Sequence, residues 1–226
     1  MTAQKKVALL FIGQTPRPDV TEELRSALPA SISLWALGAI DGLDADRVRR
    51  CAPSPGENEL ITKLSDGTGV RLGEQKVEGL LQERIEEAER GGADGCAVLC
   101  TGAFPGLRSR LPLLTADAVF HDDIEFDAAV GTVGLLVPMA SQIACFASRY
   151  EKRRLRVVAR AVSPYGALEP LLRAAETLKH EGADCICMDC IGYTMRQAEL
   201  VSERTRLPVR TPRREICERI VRLLYQ

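Results

Sequence analysis

The sequence predicts an α/β protein of two parallel-sheet halves, and three observations carry the prediction. Strand-length apolar runs alternate with segments of helical spacing, the order expected of β-α-β units. Hydrophobic residues make up 46% of the 226-residue chain but aromatics only 4%, so the core is built from Leu, Val, Ile and Ala, as in helix-covered sheets. One segment also recurs at an offset of 90 residues (Cys100 on Cys190), and the length accommodates two compact halves.

Residues 7–12 form a continuous apolar run that reads as a buried strand, broken sharply by Gly13-Gln14-Thr15-Pro16-Arg17-Pro18-Asp19. Helical spacing follows over 20–28, and 33–37 is a second strand stopping at Gly38-Ala39-Ile40-Asp41-Gly42. Residues 60–64 and 70–72 flank Ser65-Asp66-Gly67-Thr68-Gly69 as a short hairpin inserted into that order. A charged amphipathic helix over 75–90 ends at Gly91-Gly92, and the strand 95–99 leads into Cys100-Thr101-Gly102. The succession then repeats: strand 132–137, helix 139–150, strand 155–162, helix 166–180, and strand 185–189 leading into Cys190. Residues 215–225 have the length and apolar spacing of a closing helix.

At the offset of 90, Gly92-Ala93-Asp94 falls on Gly182-Ala183-Asp184, Cys100 on Cys190 and Gly102 on Gly192. The preceding helices keep phase, with Leu81 over Leu171, Ile85 over Ala175 and Ala88 over Leu178 on the predicted buried face.

Thirty basic and 31 acidic residues leave a net charge of -1, which gives no global field for nucleic acid or an anionic membrane. The run Lys152-Arg153-Arg154-Leu155-Arg156 sits at a predicted helix C-terminus, where cations suit the dipole, and has no interleaved aromatics for base stacking. The opening lacks a signal-peptide pattern and no segment reaches the ~20 apolar residues of a membrane span, so a soluble, cytoplasmic protein is expected. Eight cysteines in a chain of this size read as reduced thiols. Cys185-x-Cys187-x-x-Cys190 is not expected to bind metal, because residues 185 and 187 share one face of a strand and no second CxxC or histidine completes a set. Cys51, Cys96, Cys145 and Cys217 are assigned to packing.

Cys100 and Cys190 both lie just beyond the carboxyl ends of predicted parallel strands, the address where open sheets bind ligands and helix N–H groups point inward. A thiol there has its thiolate stabilised, from an ordinary pKa of ~8.5 toward neutrality. Two such thiols can work as a pair, one taking a proton from a carbon beside a carboxylate while the other returns one from the opposite face.

The whole chain resembles the AroM family, whose hallmarks stand here as Gly13-Gln14-Thr15-Pro16-Arg17-Pro18-Asp19, Cys100-Thr101-Gly102 and Asp189-Cys190-Ile191-Gly192-Tyr193. More broadly it is similar to the aspartate/glutamate racemase superfamily, with hydantoin racemases, maleate isomerases and arylmalonate decarboxylases. That resemblance implies two pseudo-symmetric, flavodoxin-like halves with the substrate in the cleft between them, one catalytic cysteine from each, and no cofactor. It also implies that the last helix returns to the first half, placing the boundaries at 1–118 plus 212–226 and at 119–211. In glutamate racemases the first cysteine lies in Cys-Asn-Thr and the second in Cys-Thr-His-Tyr. Both cysteines and the tyrosine carry over, but the polar neighbours do not, so glutamate is not the expected substrate.

Catalytic roles are therefore expected for Cys100 and Cys190, with Thr101, Gly102, Gly192, Tyr193 and Thr194 holding an anionic group beside them. Gln14, Thr15 and Arg17 can bind a carboxylate, Arg17 as a bidentate fork, or can form a helix-entry turn capped by Thr15 or Asp19. Ser141, at the matching turn of the second half, can donate to an oxyanion, Tyr165 supplies a hydroxyl, and Asp41 can accept an amine, with ordinary turn chemistry as the alternative for the last two. His121 and His180 are expected to face solvent. The leading expectation is a cofactor-independent racemase, epimerase or isomerase of a small carboxylic or amino acid derivative, with a small anionic substrate as its partner. The alternatives are a non-catalytic small-acid sensor and a single-cysteine decarboxylase or cis–trans isomerase; a homodimer is left open.

Overall fold

A computed structural model describes residues 4–122 and 126–225. The chain divides into two compact units, one running to Asp117 and resuming at Ile216, the other spanning Ala118–Glu215.

The first unit holds β1 (Lys5–Phe11), α1 (Pro18–Ala27), β2 (Ile32–Gly38), α2 (Ala45–Arg50), β3 (Glu59–Lys63), β4 (Gly69–Gly73), α3 (Glu74–Arg90), β5 (Gly95–Val98) and β6 (Leu113–Thr115). The second holds a π-helical turn (Ala118–Asp122), β7 (Thr132–Val137), a 3-10 turn (Ala140–Gln142), α4 (Ile143–Glu151), β8 (Arg156–Ala161), α5 (Leu168–His180), β9 (Cys185–Met188), α6 (Met195–Thr205) and β10 (Val209–Arg210). The closing helix α7 (Pro212–Tyr225) runs from the second unit's last residues into the first unit.

Each unit carries a four-stranded parallel sheet, and the orders correspond: β2-β1-β5-β6 in the first, β8-β7-β9-β10 in the second. The β3–β4 hairpin is a separate antiparallel ribbon with no counterpart in that order. The central strands are buried on both faces, which is why they read as continuous apolar runs rather than alternating ones.

The recurring Gly-Ala-Asp has a physical cause. Gly92 and Gly182 take φ of +70° and +90°, the left-handed residue that ends a helix. In each unit the glycine N–H closes on the carbonyl three back, Glu89 at 3.3 Å and Lys179 at 2.9 Å, and the alanine N–H closes on the carbonyl five back, Ala88 and Leu178 at 3.1 Å. This is the Schellman pairing, and it turns the chain from helix into strand. The aspartates then tie that turn to the neighbouring strand: Asp94 accepts from the Lys6 N–H and Asp184 from the Thr132 N–H, each at 2.8 Å. Those backbone donors hold both carboxyls below the usual range. The in-phase helical residues Leu81, Ile85, Ala88 and Leu171, Ala175, Leu178 are all buried against their sheets.

Among the described residues no helix is long and apolar enough to cross a membrane. The helix expected from 139 begins at Ile143 after the 3-10 turn. The edge strands β6 and β10 and the helices α2 and α6 lie in stretches where no element was expected.

Candidate active site

In both units the ladder runs one residue past the strand before the chain turns. The Leu99 N–H donates to the Leu10 carbonyl and the Asp189 N–H to the Leu136 carbonyl, each at 2.8 Å, so Cys100 and Cys190 follow immediately at equivalent sheet ends. Each thiol then receives the backbone N–H two residues on: Gly102 N–H to Cys100 Sγ at 3.4 Å and Gly192 N–H to Cys190 Sγ at 3.2 Å. An N–H aimed at sulfur favours the thiolate, and this arrangement is built twice on one backbone plan. Both glycines are set by close approach. A Cβ on Gly102 would lie 2.8 Å from Leu60 and 2.9 Å from Glu74 Oε1, and one on Gly192 2.6 Å from Pro164 and 3.1 Å from the Tyr165 hydroxyl.

The two turns are braced differently. Near Cys100, where Thr101 is buried, Glu74 at the head of α3 accepts the Ala103 N–H at 2.7 Å and an Asn58 amide N–H at 2.9 Å. Near Cys190, Tyr193 is fully buried and its hydroxyl donates to the Val162 carbonyl at 2.6 Å. Burial, then the charges of Cys190 and Asp189, hold that phenol well above its usual range. Thr194 caps α6: its hydroxyl accepts from Gln197 N–H at 3.0 Å while the Gln197 side chain accepts from Thr194 N–H at 2.9 Å, a complete capping box.

The 13–19 loop is knit to its surroundings within the first unit. Asp41 accepts from the Thr15 hydroxyl, from the Thr15 N–H at 2.7 Å and from the Gly38 N–H at 2.8 Å. Gln14 Oε1 accepts from the Ser65 N–H at 3.0 Å and hydroxyl at 3.1 Å, fastening the loop to the hairpin. Arg17 is buried, with Nε and Nη2 on Asp19 at 2.8 and 2.7 Å and its guanidinium over Phe11, so its fork holds the aspartate that begins α1. In the second unit Ser141 is exposed in the 3-10 turn and Tyr165 is half-buried.

His121 corrects the expectation of a solvent-facing side chain. It is 4% exposed, and Nε2 lies 2.7 Å from Asp189 Oδ2. Arg149 Nη1 lies 2.7 Å from His121 Nδ1, and because a guanidinium only donates, Nδ1 is the acceptor and Nε2–H donates to Asp189. Tyr150 donates to the same Asp189 oxygen at 3.2 Å, and its own phenol is pushed well above the usual range by burial and then by Asp189. Asp189 Oδ1 is buried without a hydrogen-bond partner among the described residues. His180 is exposed.

Sequence reasoning missed this network and Glu74. A signal was present for Asp189: a carboxylate closing the otherwise apolar Cys185–Met188 strand must find donors. Cys187, beneath it, is fully buried, which pushes its thiol well above the usual range, and burial takes Cys96 up to about 11. Neither has the character of a reacting thiolate. Among the described residues no group of three His, Cys, Asp or Glu side chains is placed to hold a metal ion.

A family model described as AroM protein matches residues 7–224. No curated protein matches the chain in sequence. Several solved structures share its fold. A liganded double mutant of arylmalonate decarboxylase superposes with a TM-score of 0.66 at 14% identity, covering 97% of this chain and 92% of that one. Allantoin racemase from Klebsiella pneumoniae gives 0.65 at 13%, covering 97% and 87%. A maleate isomerase from Pseudomonas putida S16 gives 0.66 at 10%, covering 97% and 92%. At these identities the likeness establishes a shared racemase-like fold, whose structural members include racemases, isomerases and decarboxylases.

Proposed function

The chain belongs to the AroM family, and from that premise we propose that it is a cofactor-independent racemase, epimerase or isomerase of a small carboxylic or amino acid derivative, with Cys100 and Cys190 as paired acid and base. One observation carries the reading: two thiols at equivalent sheet ends, each receiving an N–H from the second residue on, at 3.4 and 3.2 Å. A thiolate takes a proton from the carbon beside a carboxylate, the charge spreads onto the carboxylate oxygens, and the second thiol returns a proton from the other face. Backbone N–H groups of the two turns, with Thr101, would hold those oxygens as charge develops. Gln14, Thr15, Arg17 and Asp41 are read as shaping the first unit's loop, since each already holds a partner there, and Ser141 as an exposed hydroxyl that can donate to a ligand.

The fold likeness to arylmalonate decarboxylase supports a second reading, loss of carbon dioxide followed by protonation from a single thiol. Incubation with a panel of chiral carboxylic acids, hydantoins, maleate and arylmalonates in deuterated water separates the two. Exchange of an α-proton with interconversion of enantiomers is the expected result. Deuterium gained only with loss of carbon dioxide would select the single-thiol reading, and no turnover of any member would contradict both.

A further inference from the structure

Arg213 is 1% exposed, the largest of the fully buried side chains, and a guanidinium taken out of water must have its donors satisfied. At the head of α7 its Nε donates to the Ile191 carbonyl at 2.7 Å and Nη2 reaches the Gly192 carbonyl at 3.4 Å. The Ile191 carbonyl and the Gly192 N–H belong to one peptide plane and, in the trans form, point in opposite directions. A cation drawing the carbonyl to one side therefore turns the N–H to the other, where it meets Cys190 Sγ at 3.2 Å.

We propose that Arg213 is a positioning residue for Cys190: its buried guanidinium holds the Ile191–Gly192 peptide with the N–H facing the sulfur, and so favours the thiolate. Two effects share this sign, the hydrogen bond to the charged sulfur and the nearby positive charge. Asp189, preceding Cys190, acts against it, but its carboxylate is engaged by His121 and Tyr150, with Arg149 behind His121. Tyr193 within the turn and Tyr165 from the loop after β8 are further titratable groups placed at it. The matching turn at Cys100 has a brace of opposite charge, the Glu74 carboxylate on the Ala103 N–H at 2.7 Å.

The inference rests on Cys190 being a reacting thiol, but its test reads the sulfur and needs no substrate, so the turnover reading can fail while this one stands. The rate of iodoacetamide labelling of Cys190 is followed against pH in the intact protein by peptide mass. Cys145, half-buried on α4 in the same unit, serves as internal reference. Arg213→Met is expected to raise the Cys190 midpoint by about one pH unit and slow its labelling at neutral pH about tenfold, with Arg213→Lys between it and wild type and Cys145 unchanged. A folded Arg213→Met with a wild-type Cys190 profile would overturn the proposal, as would an equal shift at Cys145, which marks a merely structural role. If circular dichroism shows that Arg213→Met does not fold, Arg213→Lys is read by the same two outcomes, with a shift of about threefold expected.

Discussion

Cys190→Ser and Cys100→Ser are each expected to slow interconversion of the substrate's enantiomers by roughly 10²–10⁴-fold, the range a positioned acid or base contributes. Serine keeps the shape and the hydrogen bond but ionises far less readily, so the proton has no acceptor on one face. Binding is expected to change little, because serine is close to cysteine in shape and leaves the backbone of both turns in place. The effect then falls on kcat rather than on KM. The symmetry of the losses is the informative quantity. Two thiols of equal standing require both variants to fail at interconversion, measured by chiral separation. Full activity in one variant and loss in the other would reassign the chain to single-thiol chemistry.

Asp189→Ala is expected to lower unfolding free energy by about 2 to 6 kcal/mol, the cost of leaving two buried donors unsatisfied at about 1 to 3 kcal/mol each. Asp189 is fully buried, and one of its oxygens accepts from both His121 and Tyr150. Deleting the carboxylate strands the His121 Nε2–H and the Tyr150 hydroxyl away from water, and stranded donors cost more than a hydrogen bond contributes. Arg149 and Arg153 clamp the same turn, through His121 Nδ1 at 2.7 Å and the His121 carbonyl at 2.8 Å, and neither contact involves Asp189, so the π-helical segment keeps that part of its anchor. Asp189→Asn keeps an acceptor and is expected to cost less. Urea unfolding of the two variants measures both; a loss below about 1 kcal/mol for Asp189→Ala would show that the network adds little.

The parts of the fold legible in sequence are those set by neighbours in the chain. The Gly-Ala-Asp turns were visible because a Schellman ending needs a left-handed residue at one fixed place, and the buried strands because parallel sheets covered on both faces leave unbroken apolar runs. Edge strands of three and two residues, β6 and β10, are too short for any period to register. Helix α6 does carry a signature, Thr194 followed three residues later by Gln197, the pair that forms the capping box at its start. The site divides in the same way. The strand-end placement of Cys100 and Cys190 is set locally, whereas His121 meets Asp189 across 68 residues and Arg213 meets Ile191 across 22, separations at which composition and periodicity carry no information. Burial was the missing variable: a histidine in no recognised element looks solvated until the fold closes over it.

The proposed reaction needs two thiols on the two faces of one carbon. Its most direct test is the distance between Cys100 Sγ and Cys190 Sγ in a crystal structure of the intact chain with a carboxylate ligand bound. Proton transfer at hydrogen-bond reach on both sides of a tetrahedral carbon predicts about 7 to 8 Å, with the ligand carbon between the sulfurs. Sulfurs more than about 12 Å apart, or a ligand in contact with only one of them, would contradict it.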